Sequence, residues 1–201
     1  AVDEAHRRGR KVSAHTSCLE GARADLEAGV DSIEHGIELD DGTVEAMVKN
    51  GTYLVPSLRC TQIEGEAGPE SGIPEFVRVK ARAIYREQMR SFQRALAAGV
   101  RIAAGTDAGP SYFPLTRESL VSELATMVEC GMAPLAAIEA ATRVAAEMLG
   151  VASDLGTIAQ GKLADLIVVC GDPVRDINDL NNVLLVMRAG RIITDHRRTD
   201  G

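Results

Sequence analysis

Three residues with metal-binding side chains recur at equivalent places along the sequence. His15 in VSAHT and His35 in SIEHG each lie six residues after a glycine, and Asp107 in GTDAG lies eight residues after Gly99. Neutral imidazoles and carboxylates hold a divalent metal for hydrolysis, with one position left open for water. A single histidine more often fills a partly buried, hydrogen-bonded place. Three such ligands in register favour a metal site.

The other histidines and the nearest cysteine do not share this register. His6 lies in a charged helical stretch and His196 in the tail DHRRTDG, so we predict that both are solvated surface residues. Cys18 follows His15 by three residues, but no oxyanion loop or third partner accompanies a Cys–His pair. We therefore interpret Cys18 as a small packing residue at the start of a helix.

The equivalent positions of these residues are explained by a repeated sequence pattern. In this pattern a helical stretch ends in glycine and a short apolar strand follows at once. The pattern occurs four times, as RRGRKVSAHT, EAGVDSIEHG, KNGTYLVPSL and AAGVRIAAGTD. Glycine just past a helix end adopts the left-handed conformation cheaply, and helices alternating with strands at this spacing are typical of parallel βα units. His15, His35, Ser57 and Gly105 then fall at the C-terminal strand ends, where (β/α)₈ barrels carry their active sites. Four units make half of such a barrel, since closure needs eight strands.

The rest of the chain is divided by changes in pattern. Apolar residues at helical spacing predict helices over 18–29, 41–50, 74–98, 116–131 and 134–150. Residues 59–74 lose this periodicity and gather Gly, Pro, Ser and Glu, which predicts a long loop. After Gly156 the sequence predicts short β-strands, with a hairpin turn at Ala189 and Gly190. We therefore predict a barrel half over 1–150 and a small β element over 151–201.

Composition and charge narrow the class of protein. The 201 residues are 45% apolar and 25% charged, as in ordinary soluble globular domains. The formal charge of -7 and the lack of a basic run argue against nucleic acid and membranes as partners. Four scattered cysteines without a CxxC pair, and no signal peptide or spanning segment, predict a cytoplasmic setting. Because there is no initiator Met, we expect the chain to begin inside a larger protein.

Taken in order, SAHT, SIEHG, YLVPSL, AAGTDAG, AIEAATRVAAEMLG and LGTIAQGKLADLIVVCGDP resemble the amidohydrolase superfamily over nearly the whole chain. The nearest resemblance is to its Xaa-Pro dipeptidase and imidazolonepropionase-related branch. It implies an α/β fold comprising the C-terminal half of a (β/α)₈ TIM barrel, about strands five to eight, plus part of a small β-sandwich. It also implies that His15 and His35 bind metal and that Asp107 both binds metal and acts as the catalytic base.

The resemblance further implies a divalent metal, with zinc expected, at one or two ions per full-length chain. The family's HxH pair and carbamylated lysine have no counterpart in these 201 residues, so the number of ions stays open. The expected reaction is hydrolysis of a carbon–nitrogen bond by metal-activated water, with Asp107 passing the proton to the departing nitrogen. The partner is then a small-molecule substrate, and a homo-oligomer is an open possibility.

Substrate identity is less sharply defined. Dipeptides or N-acyl amino acids are the leading prediction, and Arg59 and Tyr112 are candidates to bind a substrate carboxylate from the barrel mouth. A solvated loop position for Arg59 fits the sequence equally well. Two other functions stay open: a cyclic amidohydrolase or deaminase of the imidazolonepropionase type, and a non-catalytic barrel scaffold with a degenerate metal site.

The register itself is testable. We expect His15→Ala and His35→Ala each to lower the bound metal, because each removes one imidazole ligand from a strand end. His6→Ala is the control and should leave the metal content unchanged. The measurement is the metal-to-protein ratio by elemental analysis, in protein expressed from the complete gene. Equal loss of metal from the His6 variant would show that the register is wrong.

Overall fold

The computed structural model describes residues 1–109, 115–116 and 119–196. In the first part short strands alternate with helices, and a separate group of strands follows near the C-terminus. The helices are α1 (Val2–Arg7), α2 (Leu19–Ala28), α3 (Asp41–Asn50), α4 (Leu58–Glu66), α5 (Glu75–Ala98), α6 (Ser119–Glu129), α7 (Pro134–Ala141) and α8 (Arg143–Leu149). The strands are β1 (Ser13–Thr16), β2 (Ser32–His35), β3 (Tyr53–Val55), β4 (Leu166–Val169), β5 (Val183–Arg188) and β6 (Arg191–Asp195). Short 3₁₀ helices occupy Pro69–Ser71 and Ile177–Asn181.

The first sheet is parallel, with the strand order β1-β2-β3. The predicted fourth strand forms only one parallel bridge, between Ile102 and Leu54. Leu54 N–H donates to the carbonyl of Arg101, and Ala103 N–H donates to the carbonyl of Leu54, both at 2.9 Å. The next amide, that of Ala104, donates to a carbonyl of α7 instead. The segment therefore leaves the sheet after one bridge, which is why it does not form a full strand.

Glycine ends the helices that lead into the sheet, as the sequence predicts. The residues that follow α2, α3 and α5 are Gly29, Gly51 and Gly99, with φ of 80°, 72° and 80°. At each of these positions the backbone N–H bonds to a carbonyl of the last turn, which satisfies groups that the helix end leaves open. These turns set the length of each βα unit and so the place where each strand ends.

The core lies between the parallel sheet and the helices packed on it. Ile33, Leu54 and Ile102 come from the sheet region and are each at most 5% exposed. They belong to one cluster with helical side chains, among them Leu26, Met47, Phe92, Leu124 and Met127. The fold is thus mixed α/β. No helix in the described part of the chain combines the length and apolar character needed to cross a membrane.

The prediction of a long loop over residues 59–74 is wrong. This segment forms α4 and the following 3₁₀ helix, and α4 packs closely on α5. Gly65 is buried at the crossing, where a Cβ atom would lie 3.1 Å from the backbone nitrogen of Arg82. The glycine that argued for a loop thus permits close helix packing, a tertiary effect that overrides local propensity.

The predicted single helix over 134–150 is in fact two helices, α7 and α8. The break is at Thr142, which has φ of -127° and ψ of -88° and whose hydroxyl donates to the carbonyl of Ile138 at 2.7 Å. Such bonding back to the i−4 carbonyl bends helices. Gly156 packs against the break: a Cβ atom there would lie 2.6 Å from Ala146 Cβ and 3.0 Å from the Thr142 carbonyl oxygen.

The C-terminal strands form an antiparallel sheet with the order β4-β5-β6. Ala189 and Gly190 form the tight turn between β5 and β6, with φ of 47° and 76°, as a hairpin with two left-handed residues requires. The predicted hairpin is therefore confirmed. Ile177, in the second 3₁₀ helix, joins the main core. The boundary after residue 150 and the β-sandwich stay predictions.

The packing of Gly156 generates a stability prediction. Gly156→Ala should lower the denaturation midpoint more than Gly161→Ala, because both residues have similar positive φ, 88° and 91°, but a Cβ at Gly161 meets nothing within 4 Å. Overpacking of this kind typically costs about 1–3 kcal/mol. Urea denaturation followed by circular dichroism measures the difference. Equal midpoints would show that Gly156 is kept for its backbone conformation alone.

Candidate functional site

The structure brings His15 and His35 together at the C-terminal ends of neighbouring strands. Because β1 and β2 are parallel, with Thr16 opposite His35, the two strands end at the same edge. The imidazole ring centroids lie 4.6 Å apart and the rings are inclined at 71°. The hydroxyl oxygen of Ser17 lies 3.0 Å from Nε2 of His15. Two candidate metal ligands thus face one another.

The surroundings of His35 favour its neutral form. Burial lowers the pKa of His35, and the charge of the neighbouring His15 lowers it further, against the opposing effect of Asp107 and Glu34. A histidine must be neutral to bind a metal ion through a ring nitrogen. His35 is therefore held in the form that a ligand requires.

Asp107 comes to the same edge from the segment beyond Ile102. Gly105 permits this approach, since a Cβ atom there would lie 2.5 Å from Val55 Cγ1 of β3. The Asp107 side chain is exposed, and its charge partly opposes the lowering of the His35 pKa and adds to burial in raising the pKa values of Cys60 and Glu64. The carboxylate thus acts electrostatically on both β2 and α4.

Backbone strain is concentrated at these strand ends. His35, Ser57 and Asp107 have φ of 67°, 49° and 51°, and Ala189 in the hairpin turn is the other non-glycine residue with positive φ in the described ranges. This conformation costs a non-glycine residue roughly 1–2 kcal/mol. Strained residues of this kind cluster at functional sites, where the surrounding structure holds them in place. Of the four strand ends that the sequence selects, those of the second, third and fourth units carry this strain, and that of His15 does not.

Glu123 of α6 is a functional candidate that the sequence interpretation missed. Its side chain is fully buried, and its two oxygens accept hydrogen bonds from the backbone N–H groups of Leu58, at 3.0 Å, and Arg59, at 2.7 Å. Burial raises the pKa of Glu123 to about 7, although these hydrogen bonds and the charge of Arg59 act in the opposite direction. The sequence did contain a signal for this role. Glu123 lies on the same face of α6 as Ser119 and Met127, which are both buried, so a buried glutamate could have been expected there.

Cys60 and Glu64 form a second unexpected group beside Asp107. They lie four residues apart on one face of α4. Burial and the negative charges of Glu64, Asp107 and Glu123 raise the pKa of the Cys60 thiol to about 12. Burial and Asp107 also raise the pKa of Glu64. The face of α4 beside Asp107 therefore carries the carboxyl group of Glu64 and the protonated thiol of Cys60.

The two residues predicted to bind substrate have different outcomes. Arg59 is half-buried in the first turn of α4, and its Nη1 donates to Oε1 of Gln62 at 2.9 Å. The alternative of a solvated loop position for Arg59 is therefore wrong, while its role in substrate binding stays a prediction. Tyr112 lies outside the described residues.

The predictions for His6 and Cys18, neither of which was expected to have a catalytic role, each need a correction. His6 is exposed but not merely solvated, because its Nε2 lies 2.8 Å from Oδ2 of Asp31, just before β2. It thus lies at the opposite end of the strands from His15 and His35. Cys18 begins α2 as predicted but is exposed rather than packed. His196 is exposed after β6, as predicted.

The donor chemistry of His15, His35 and Asp107 fits a divalent metal. Imidazole nitrogens and a carboxylate are the usual ligands of a hydrolytic zinc ion, and the exposed carboxylate leaves the site accessible. Within 1–109, 115–116 and 119–196, however, no three His, Cys, Asp or Glu side chains are arranged to enclose an ion. The structure thus contains a pair of imidazoles and a nearby carboxylate, not a closed ligand set.

Comparison with known proteins supports the motif resemblance. A solved structure of an Xaa-Pro dipeptidase, with methionine bound in its active site, matches 95% of this chain and 46% of that chain, with a TM-score of 0.85 and 38% identity. Ochratoxinase of Aspergillus niger is 34% identical over 178 residues, which cover 88% of this chain and 36% of ochratoxinase. An imidazolonepropionase of Rhizorhabdus wittichii is 29% identical over 177 residues, which cover 83% of this chain and 37% of that protein.

The chain spans about half the length of the curated relatives it matches, or less. Over these residues the match to the family is nearly complete, since the model of the amidohydrolase family covers residues 1–193. The paired histidines at the strand ends, the aspartate beside them and this match lead to one conclusion: the chain belongs to the amidohydrolase family.

Proposed function

We propose that this chain forms part of a metal-dependent hydrolase that cleaves a carbon–nitrogen bond of dipeptides or N-acyl amino acids. The observation that carries the proposal is the 4.6 Å approach of the His15 and His35 rings at the edge where the charge of Asp107 acts on His35. The likeness to the Xaa-Pro dipeptidase structure supports a dipeptide-like substrate.

In this proposal the two histidines and the aspartate share one task, and the aspartate has a second. His15, His35 and Asp107 would hold the divalent ion, for which zinc is the first choice, and the bound ion would supply polarisation of the scissile carbonyl and activation of water. Asp107 accepts the proton of the attacking water and delivers it to the leaving nitrogen, without which an amide bond does not break. The Asp107 side chain is exposed at the strand-end edge.

The substrate carboxylate is assigned to residues at the rim. Arg59 lies in the first turn of α4, which follows β3, and a guanidinium matches a carboxylate in shape and charge. Tyr112 is the second proposed contact, from the segment that follows Asp107. Together they would orient a dipeptide with its amide bond towards Asp107.

We propose further that these residues are the C-terminal half of a (β/α)₈ barrel, about strands five to eight. The single bridge at Ile102 represents the last of these strands. The antiparallel β4–β6 sheet would then belong to a small β-sandwich beside the barrel, in a cytoplasmic enzyme. Half a barrel also explains why the ligand set is incomplete, because further ligands would come from the strands of the other half.

The main alternative is hydrolysis or deamination of a cyclic substrate, which the similarity to imidazolonepropionase favours. The two functions differ in the charge of the substrate and in whether an open-chain amide is cut. A panel of dipeptides, N-acyl amino acids and cyclic amides, assayed with the metal-loaded protein from the complete gene, separates them. Turnover of the cyclic compounds alone would replace the leading proposal. No turnover of any compound by fully metal-loaded protein would favour a non-catalytic scaffold.

Asp107→Asn should remove most of the turnover while leaving the fold and much of the metal in place. The amide side chain cannot accept a proton, and loss of general-base help typically lowers rates about 10²- to 10⁴-fold. The measurement is kcat with the metal-to-protein ratio determined on the same sample. Exposed Asp41→Asn, in the first turn of α3, is the matched control and should retain wild-type kcat. Wild-type kcat in the Asp107→Asn variant would end the general-base assignment.

Residues 1–201 expressed alone should bind metal weakly and show no amidase activity. Within the described residues β1 pairs only with β2, so its other edge is open, and open edges of this kind promote aggregation. The experiment compares the purified segment with the protein from the complete gene, after saturation with zinc or manganese, using the same dipeptide panel. Comparable turnover from the segment would show that no other half is needed.

A further inference from the structure

The buried carboxylate of Glu123 caps a helix to which it does not belong. Ser57 precedes α4, but its side chain makes no capping hydrogen bond. Glu123 of α6 instead accepts from the first two N–H groups of α4, at 3.0 Å and 2.7 Å. Such N–H groups have no partner within their own helix, and a carboxylate at this end is favoured by the helix dipole.

The turn between β3 and α4 is held on both sides of Ser57. On the strand side, Nε2 of the buried Gln88 in α5 donates to the carbonyl of Pro56 at 2.5 Å. On the helix side, Glu123 accepts from Leu58 and Arg59. Ser57 itself is 2% exposed and has φ of 49°. A strained residue is thus fixed by buried side chains from two other helices, as strained sites require.

This turn determines where α4 stands relative to Asp107. Arg59 lies in the first turn of α4, and Cys60 and Glu64 follow on one face of the helix. The helix begins three residues after the end of β3, and Gly105, two residues before Asp107, packs against Val55 of that strand, so the first turns of α4 stand beside the candidate site. A shift of the first turn would therefore move the groups that surround the proposed base.

We infer that Glu123 is a positioning residue of the candidate site: its carboxylate fixes the first turn of α4 and so sets where Arg59, Cys60 and Glu64 stand beside Asp107. Its catalytic meaning rests on the proposed function, whereas the hydrogen bonds and their effect on α4 do not. Glu123 touches neither His15, His35 nor Asp107 through any hydrogen bond of the described residues, so it acts through α4.

The first variant is Glu123→Gln, with Glu129→Gln as its control. A glutamine has one accepting oxygen and an amide group that would face a backbone N–H, so one of the two hydrogen bonds becomes repulsive. Glu129 is an exposed glutamate on the same helix, and its replacement changes charge equally without touching α4. Glu123→Asp is the second variant, because it keeps the charge but retracts it by one methylene group.

The first measurement needs no activity. Exposed Cys18 and Cys170 are replaced by serine, and the rates at which a thiol reagent modifies Cys60 and buried Cys130 are followed by mass spectrometry. Because the charge of Glu123 also helps raise the pKa values of Cys60 and Cys130, the charge-retaining Glu123→Asp variant decides the result. Weakening of the charge-assisted hydrogen bonds should speed Cys60 modification by about tenfold in Glu123→Asp as well as in Glu123→Gln, with Cys130 unchanged in Glu123→Asp and Cys60 unchanged in the Glu129→Gln control. A wild-type Cys60 rate in either Glu123 variant would overturn the inference, and so would a parallel rise at Cys130 in Glu123→Asp. If Glu123→Gln does not fold, a wild-type rate in Glu123→Asp overturns it.

The second measurement uses hydrolysis of the best substrate by the metal-loaded protein from the complete gene. We expect Glu123→Gln to lower kcat/KM by about tenfold or more at wild-type metal content, because α4 moves while the ligands stay. A parallel loss of metal, or an unchanged kcat/KM, would overturn the positioning role. If the wild-type protein hydrolyses nothing, the proposed function fails, and the Cys60 rates still decide the inference about α4.

Discussion

Parallel pairing of β1, β2 and β3 is the constraint on which the rest of the structure depends. Parallel strands have their C-terminal ends at the same edge of the sheet. Residues that follow different strands therefore meet at that edge although they are far apart in sequence. Thr16 stands opposite His35, and a shift of one residue in the pairing of β1 with β2 would turn the side chains of one strand to the other face of the sheet. The glycine turns before β2 and β3 fix the lengths that make this pairing possible.

Forming the strand-end edge of the parallel sheet costs free energy, because it requires strained backbone conformations and a buried ionisable group. His35, Ser57 and Asp107 adopt left-handed backbone conformations, and Glu123 is an ionisable group without solvent access. A buried carboxylate is tolerated when hydrogen bonds satisfy it, and here the amides of α4 do so. The hydrogen bonds that offset the cost of burying Glu123 also hold the first turn of α4 in place. The same two bonds therefore stabilise the turn and determine the position of α4 beside the site.

Electrostatics at the edge are mixed rather than uniformly acidic. The imidazoles of His15 and His35 lie together, Asp107 carries a carboxylate nearby, and α4 contributes Glu64 and the protonated thiol of Cys60. Burial and the charge of His15 lower the pKa of His35, whereas burial and neighbouring carboxylates raise the pKa of Cys60. A cation introduced among these groups would relieve repulsion between the carboxylates, which is consistent with the donor chemistry of His15, His35 and Asp107.

The sequence by itself determined the features that depend on local chemistry. Glycines at helix ends, the periodicity of α2, α3 and α5, the hairpin at Ala189 and Gly190 and the family motifs around His15, His35 and Asp107 were all readable, because each depends on residues close together along the chain. Only the tertiary structure decided the rest. Residues 59–74 fold into most of α4 and a 3₁₀ helix, with Gly65 packed on α5. The helix over 134–150 breaks at Thr142, and the strand at Ile102 ends early because the amide of Ala104 bonds to α7. Glu123 meets α4 across 64 residues of sequence, and no local pattern specifies which buried amides a glutamate will find.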